Sequence, residues 1–244
     1  MRRLPLVLLI LLAAGCGGHR GAVKGAAVAR CTPGAYQQTA TLRLAYAGVA
    51  PNGAVAYAKP GGTVVARLGK VNVNDYPTVL GVLGKIVTRG CKASWYRVQL
   101  PMRPNGTAGY VRPWRLQLVP VRSRIVVDIS ARRLTFFRAG KPYVSSAVAV
   151  GAPATPTPTG RFYVNQRLVP SDSSGPFGPG AIGISAFSNV LTGWTQGGPV
   201  AIHGTNEPWS IGHNVSNGCI RLPNAMLTRI WPLAVAGTPV IIRA

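Results

Sequence analysis

Acidic residues are nearly missing from this chain of 244 residues. Four aspartates and glutamates stand against 27 lysines and arginines, which gives a formal net charge of +23. This excess of positive charge predicts attraction to polyanions. The basic residues are spread along the chain, and no run of them alternates with aromatic residues. Nucleic acid is therefore not the polyanion that the pattern favours.

Close cysteine pairs are missing as well. The chain has four cysteines, and none of them belongs to a C-x-x-C pair. A structural zinc site needs four ligands and usually includes such a pair. A zinc site formed by His203, His213 and Cys219 is therefore the less favoured interpretation of these residues. We predict neither a bound metal nor a cofactor.

The start of the chain has an apolar segment that is too short to cross a bilayer. Two arginines follow the first methionine, and residues 4–14 are mostly apolar, a pattern typical of an export signal. The sequence Ala-Ala-Gly-Cys that ends at Cys16 resembles a bacterial lipoprotein cleavage box, in which Cys16 would become the lipid-bearing first residue. Leu12 lies four residues before Cys16, whereas the commonest box has leucine three residues before, so plain cleavage remains the alternative.

The residues after this segment predict a tether to the membrane. Residues 17–30 are small and polar and show no apolar period, which is typical of a flexible linker. We therefore expect the protein at the outer face of the cytoplasmic membrane or in the periplasm. Its polyanionic partners would then be anionic wall polymers and lipid headgroups.

Residues 202–222, IHGTNEPWSIGHNVSNGCIRL, contain the residue types needed for chemistry. Cys219 directly follows Gly218, and His203 lies sixteen residues before the cysteine. A thiolate can attack a carbonyl while an imidazole transfers the proton. Because Gly218 has no Cβ, a substrate backbone could pass close to the sulfur, and local N–H groups could turn toward a developing oxyanion.

The alternative is that Cys219 is structural, because a lone cysteine beside an isoleucine is often just a small buried hydrophobe. The flanking residues favour a reactive thiol instead. Ser216 and Asn217 precede the cysteine and Arg221 follows it, and hydrogen-bond donors and positive charge lower a thiol's pKa. We therefore predict that the pKa of Cys219 lies below the roughly 8.5 of a free cysteine.

These motifs carry a family resemblance. H-G-T-N-x-P-x-S-I-G followed by V-S-x-G-C-I-R-L resembles the active-site signature of the L,D-transpeptidase (YkuD-like) catalytic domain, which remodels bacterial peptidoglycan. The resemblance covers about residues 124–244 and includes the Pro-Thr-rich segment 151–160 and the strand residues Phe162 and Tyr163. The family usually has histidine directly before the Gly-Cys pair, where this chain has Asn217.

The resemblance implies a role for each site residue. Cys219 would be the nucleophile and His203 the base, with the backbone carbonyl of Gly204 orienting the imidazole. His213 is the rival base, but it lies outside the matched H-G-T run. The N–H groups of Gly218 and Cys219 would form the oxyanion site. The residues expected to position these groups are Ser216, Asn217 and Arg221.

The resemblance also implies the reaction. The thiolate would attack the carbonyl of the third stem-peptide residue, D-alanine would leave, and an amine of a second stem would take the acyl group to form a cross-link. With water as the acceptor, the activity would be that of an L,D-carboxypeptidase. The non-enzymatic alternative is a wall-binding lipoprotein with a decayed catalytic domain.

If Cys16 carries a lipid and Cys219 is the nucleophile, Cys31 and Cys91 remain. Both would lie in an exported protein, where a disulfide between them is expected. The bond would close a long loop and stabilise the fold by roughly 3 to 5 kcal/mol on a chain-entropy estimate. Two free buried thiols are the alternative.

The fold class predicted from the patterns is mostly β. Short alternating segments separated by Pro-Gly and Asn-Gly turns in residues 31–120 predict a small β-barrel. Residues 94–98 and 109–112 in this region resemble the end of a bacterial Src-homology-3-like domain, whose role would be wall binding or packing as a spacer. Residues 124–244 are predicted to form the β-rich catalytic domain with one or two short helices.

Several local features of the catalytic domain are also predicted. Residues 125–129 and 134–137 have the spacing of a hairpin, and residues 152–159 are expected to form a surface turn because of their prolines. A helix is predicted for residues 224–233, capped by Asn224. Residues 171–183 are too rich in Ser, Gly and Pro for a regular element and are expected to overhang the cleft. Phe187 and Trp194 are either cleft walls or core.

Overall fold

The computed structural model describes residues 30–244, so the predicted export signal, Cys16 and residues 17–29 of the tether lie outside the described residues. The described part is mostly β, as predicted, with two eight-stranded sheets and one α-helix. No helix within residues 30–244 is both long and apolar enough to cross a membrane.

The first sheet is built from the N-terminal part of the chain. Its strands run in the order β4-β3-β7-β6-β5-β2-β8, and β1 pairs separately with β5. Their apolar side chains enclose a core that includes Leu80, Val98 and Leu100. The predictions of a barrel and of a Src-homology-3-like domain remain predictions. The strands are β1 (Tyr36–Gln38), β2 (Ala45–Val49), β3 (Ala54–Tyr57), β4 (Val64–Leu68), β5 (Val79–Val87), β6 (Ala93–Gln99), β7 (Ala108–Val111) and β8 (Gln117–Val121).

A disulfide joins the start of the described chain to the first sheet. Cys31 and Cys91 are bonded with an S–S distance of 2.06 Å, across 60 residues of sequence. Cys91 lies in the turn between β5 and β6. This is the pair that the sequence favoured.

The second sheet follows the first directly along the chain: β8 ends at Val121 and β9 begins at Ser123. Its order is β11-β10-β9-β18-β13-β14-β15-β17, while β12 and β16 form a separate parallel pair. β9 and β10 form the predicted hairpin. The elements are β9 (Ser123–Asp128), β10 (Arg133–Arg138), β11 (Lys141–Ala147), β12 (Val150–Gly151), β13 (Gly160–Leu168), β14 (Ala181–Phe187), β15 (Pro199–His203), β16 (Asn214–Ser216), β17 (Ile220–Arg221), β18 (Pro239–Arg243) and the helix α1 (Asn224–Ile230).

The two faces of the second sheet have different partners. Ile182 and Ile184 of β14 and Ile202 of β15 point into the main apolar core. Because side chains alternate along a strand, Gly183, Ala201 and His203 lie on the opposite face.

The first sheet packs against that opposite face. The ring of Tyr163, from β13, lies so close to Gly81 of β5 that a Cβ on Gly81 would be 2.8 Å from it. The side chain of Gln99 donates a hydrogen bond to the carbonyl of Arg161, and Asn72 Nδ2 donates to Gln166 Oε1 at 2.7 Å. The two sheets are therefore packed together on the face of the second sheet that carries His203.

Three local predictions need correction. The helix ends at Ile230, and Asn224 does not cap it; the cap position is Pro223, which has no side-chain cap bond. β14 runs from Ala181 to Phe187, which confirms a strand predicted for residues 182–187 and moves the end of the irregular segment from Gly183 to Gly180. The turn at residues 152–159 was predicted to lie on the surface, but it is partly buried. Thr157 is 4% exposed, and its hydroxyl accepts a hydrogen bond from Gly151 N–H at 2.8 Å.

Candidate active site

Two adjacent parallel strands bring the predicted nucleophile and base to the same face. His203 is the last residue of β15, Cys219 immediately precedes β17, and the register pairs Ile202 with Ile220. One residue earlier, Ala201 lies opposite Cys219, and its N–H donates to the Sγ atom at 3.4 Å. Since residues of equal parity share a face, His203 and Cys219 are diagonal neighbours there.

The imidazole of His203 is fixed from two sides. The side chain is buried, with 5% of its surface exposed. Its Nδ1 lies 2.5 Å from the carbonyl oxygen of Gly204. Because a carbonyl only accepts, Nδ1 carries the proton and Nε2 is left as an acceptor. The ring of Phe177 packs edge-on against the imidazole at a centroid distance of 4.9 Å.

Burial also sets the charge of His203. It lowers the pKa of the imidazole to about 4; the hydrogen bond to Gly204 opposes this shift, and the positive charge of Arg221 adds to it. The imidazole is therefore neutral at pH 7.

Asn224 holds the segment that orients the imidazole, a function that the sequence did not indicate. Its Oδ1 accepts a hydrogen bond from Thr205 N at 2.8 Å, and its Nδ2 donates to Thr205 O at 3.0 Å. A Cβ on Gly204 would come within 2.3 Å of the same Oδ1. Glycine is thus needed at position 204 for the close approach that places its carbonyl on His203.

The prediction of a lowered pKa for Cys219 is wrong. Burial raises the pKa of the thiol above its ordinary value, while the Ala201 hydrogen bond and the charge of Arg221 oppose that shift without cancelling it. Desolvation disfavours the charged thiolate more than the flanking donors stabilise it. The resting site therefore holds a neutral thiol beside a neutral imidazole.

This protonation state predicts a specific pH dependence of alkylation. The rate at which iodoacetamide labels Cys219 should rise about tenfold per pH unit from pH 6 to above pH 8, because only the thiolate reacts and its pKa is raised. The measurement is labelling followed by mass spectrometry, with Cys219→Ala protein as the background control. A rate that is already constant between pH 5 and 8 would indicate a thiolate–imidazolium pair and contradict this prediction.

The turn before the cysteine depends on Gly218 and Ser216. Gly218 has a φ of +106°, a conformation that favours glycine, so backbone geometry as well as substrate access explains its presence. Its N–H donates to Ser216 Oγ at 3.1 Å, and that hydroxyl donates to Cys219 O at 2.5 Å. The N–H of Gly218 is thus engaged inside the turn and is not free for an oxyanion, contrary to prediction.

The remaining predicted positioning residues differ in what they contact. Arg221 forms an ion pair with Glu207, and its charge acts on both His203 and Cys219. Asn217 is exposed, and its side chain makes no hydrogen bond within the described residues. His213 is also exposed, and its backbone, not its ring, is bonded to Ser210 and Val150.

The aromatic residue that contacts the imidazole is neither of the two that were considered for the cleft, Phe187 and Trp194. Phe177 comes from the loop that was expected to overhang the cleft, and it contacts His203. Trp194 is 53% exposed, and Phe187 lies where β14 meets the first sheet. Within residues 30–244, no group of three or more His, Cys, Asp or Glu side chains could hold a metal ion.

Comparison with known proteins finds the same family that the sequence motifs resemble. Residues 122–242 match the family model of the L,D-transpeptidase catalytic domain, YkuD. YkuD of Bacillus subtilis strain 168 is 37% identical over 118 residues, which are 48% of this chain and 64% of that protein. YkuD of Bacillus licheniformis is 34% identical over 119 residues, which are 49% of this chain and 64% of that protein. The matches therefore span less than two thirds of these relatives.

Among solved structures, one example aligns with about the same share of this chain as the two YkuD proteins do. The NMR structure of the catalytic domain from E. faecium L,D-transpeptidase aligns over 50% of this chain and 96% of its own, at 22% identity and a TM-score of 0.37.

Proposed function

We propose, from the match of residues 122–242 to the L,D-transpeptidase catalytic domain, that this chain cross-links peptidoglycan stem peptides through an acyl-enzyme on Cys219. The observation that supports this most strongly is the pairing of β15 with β17. It puts Cys219 and His203 on one face, with Nδ1 of the imidazole held by the Gly204 carbonyl. The imidazole thereby presents Nε2, the atom that can take a proton.

In the first step, the thiol of Cys219 attacks the carbonyl of the third stem residue, an L-centre followed by D-alanine. As the S–C bond forms, Nε2 of the neutral His203 takes the thiol proton. The bond from carbonyl carbon to nitrogen then breaks, and the imidazolium returns the proton to the departing D-alanine amine. Because the resting pair is neutral, proton transfer accompanies attack and does not precede it.

In the second step, an amine from another stem attacks the thioester. His203 takes a proton from this amine and returns one to the departing sulfur, which restores the thiol. Since the Gly218 N–H is bonded to Ser216, we assign oxyanion stabilisation to the N–H of Cys219. One such donor is typically worth about 3 to 4 kcal/mol. Asn217 cannot carry a proton through this cycle.

We also propose that the protein works outside the cytoplasm, tethered by a lipid on Cys16. The Cys31–Cys91 disulfide supports export, because such bonds persist in oxidising compartments. The net charge of +23 would hold the enzyme close to anionic wall polymers and lipid headgroups.

The test is product analysis with the purified protein. A tetrapeptide donor ending in a diamino acid and D-alanine, with the amines of the donor acetylated, is incubated with and without a second stem as the amine acceptor. We expect release of D-alanine and a cross-linked dimer by mass spectrometry, with the dimer only when the acceptor is present. Release of D-alanine with a tripeptide as the sole product would identify a carboxypeptidase, and no release at all would refute the enzyme assignment.

A further inference from the structure

A cavity of about 450 Å³ lies between the two sheets, beside the candidate active site but not lined by Cys219 or His203. Its volume is in the range of ligand pockets. The lining residues include Leu68, Val71 and Asn74 from the N-terminal part, and Asn165, Gln166 and Phe187 from the C-terminal part.

A continuous row of residues connects this cavity with the sulfur. Ala201, whose N–H contacts Cys219 Sγ, pairs with Gly183 of β14, and Gly183 pairs with Gln166 of β13. The side chains of Asn165 and Gln166 cover Gly183, because a Cβ there would be 2.9 Å and 2.7 Å from them. Two strand spacings, or about 10 Å, therefore separate Cys219 from these two amides.

The position of His203 determines which part of the donor points toward the cavity. The departing amine must reach His203, at the C-terminal end of β15, and the acceptor amine must enter on the same side. Pro199, at the other end of β15, lines the cavity two residues before Ala201, which is about 7 Å along the strand. The acyl side of the donor, which stays on the enzyme, therefore extends toward the cavity.

The lining of the cavity suits peptide groups and, through Arg67, a carboxylate. Asn165 Oδ1 is buried and has no hydrogen-bond partner among the described residues, so a rotation of this amide would expose an acceptor for a ligand N–H without breaking a bond inside the protein. Gln166 Oε1 is held by Asn72 and Asn74 of the N-terminal part, at 2.7 and 3.2 Å. This leaves the Gln166 Nε2 group to donate to a ligand carbonyl. No lining residue is acidic, so the cavity has no counter-ion for an acceptor amine.

We propose that this cavity, called the groove from here on, binds the acyl-side residues of the donor stem, which are those that precede the diamino acid. The N-terminal unit then supplies half of the donor site. This assignment rests on the proposed function. The groups that contact the donor are the amides of Asn165 and Gln166 on one wall. Leu68, Val71 and Asn74 form the other wall.

The test compares two donors in three proteins. The long donor is the full tetrapeptide, and the short donor is the acetylated diamino acid followed by D-alanine. Val71→Trp fills the groove, and Val64→Trp is the matched control, because Val64 is a similarly exposed valine of the N-terminal part (43% against 38%) that lies outside the groove. The measurement is kcat/KM for D-alanine release.

We expect the long donor to be preferred by the wild type, and Val71→Trp to lower the long-to-short ratio of kcat/KM about tenfold. Val64→Trp should leave the ratio unchanged. Turnover of the short donor by Val71→Trp shows that the variant is folded. A ratio near one in the wild type, or an unchanged ratio in Val71→Trp, would overturn the proposal.

Binding of the tripeptide product, measured by calorimetry, separates this proposal from the proposed function. If neither donor is turned over, the enzyme assignment fails. In that case, tripeptide binding that is about tenfold weaker in Val71→Trp than in Val64→Trp would still support the groove. Equal binding to both variants, or no binding to the wild type, would overturn it.

Discussion

Cys219→Ala is expected to reduce D-alanine release by at least about 10⁴-fold, because the variant has no atom that can form the acyl-enzyme. The same variant should gain no mass when it is incubated with a carbapenem. In the wild type, the sulfur attacks the strained lactam carbonyl, the carbonyl carbon–nitrogen bond opens, and the whole drug is added to the protein. Steady-state kinetics and intact-mass spectrometry measure the two effects.

The control for this variant is its stability. Cys219 is not part of the Cys31–Cys91 disulfide, so the variant should unfold near the wild-type temperature. If the folded variant still releases D-alanine at a rate near that of the wild type, Cys219 is not the nucleophile. The protein would then be a β-rich protein with another function.

His203→Ala is expected to lower kcat/KM by about 10² to 10⁴, the usual range for loss of a general base. His213→Ala should change it by no more than about twofold, because that side chain is exposed and makes no contact in the site. The two histidines are ten residues apart and provide matched substitutions. The opposite result, with His213→Ala inactive and His203→Ala active, would make His213 the base.

The pH profile provides a second readout of the same base. His203 must be neutral to take the thiol proton, and burial lowers its pKa to about 4. Protonation therefore removes the base only below about pH 4, and the acid limb of kcat/KM should lie near that pH instead of near 6.5. An acid limb near 6.5 would mean that the imidazole is solvated in the working enzyme.

The mostly β fold and the candidate catalytic residues were predictable from the sequence for local reasons. Alternating apolar residues define β9 and β10, and the spacing between them defines their turn. His203 and Cys219 were found from a motif, since the chemistry requires those residue types and the two segments that hold them resemble a known signature. These features depend on residues near one another in the chain.

The features that the sequence did not reveal depend on distant contacts. The raised pKa of Cys219 reflects burial by the folded chain, which outweighs the neighbouring Arg221. Asn224 was expected to cap a helix, but its amide instead holds Thr205, nineteen residues earlier. The groove at Gln166 exists only because residues from two sheets meet there. The spacing of apolar residues along the chain indicates none of these three features.

The disulfide at Cys31 has a mechanical consequence. If the protein is tethered through its first residues, any pull from the membrane enters the described chain at residue 30. The first strand on that path, β1, has three residues paired with β5 and would unzip readily under load. The covalent link to Cys91 bypasses β1 and would carry the force directly to the turn between β5 and β6, so the two sheets would stay folded while such a tether is pulled.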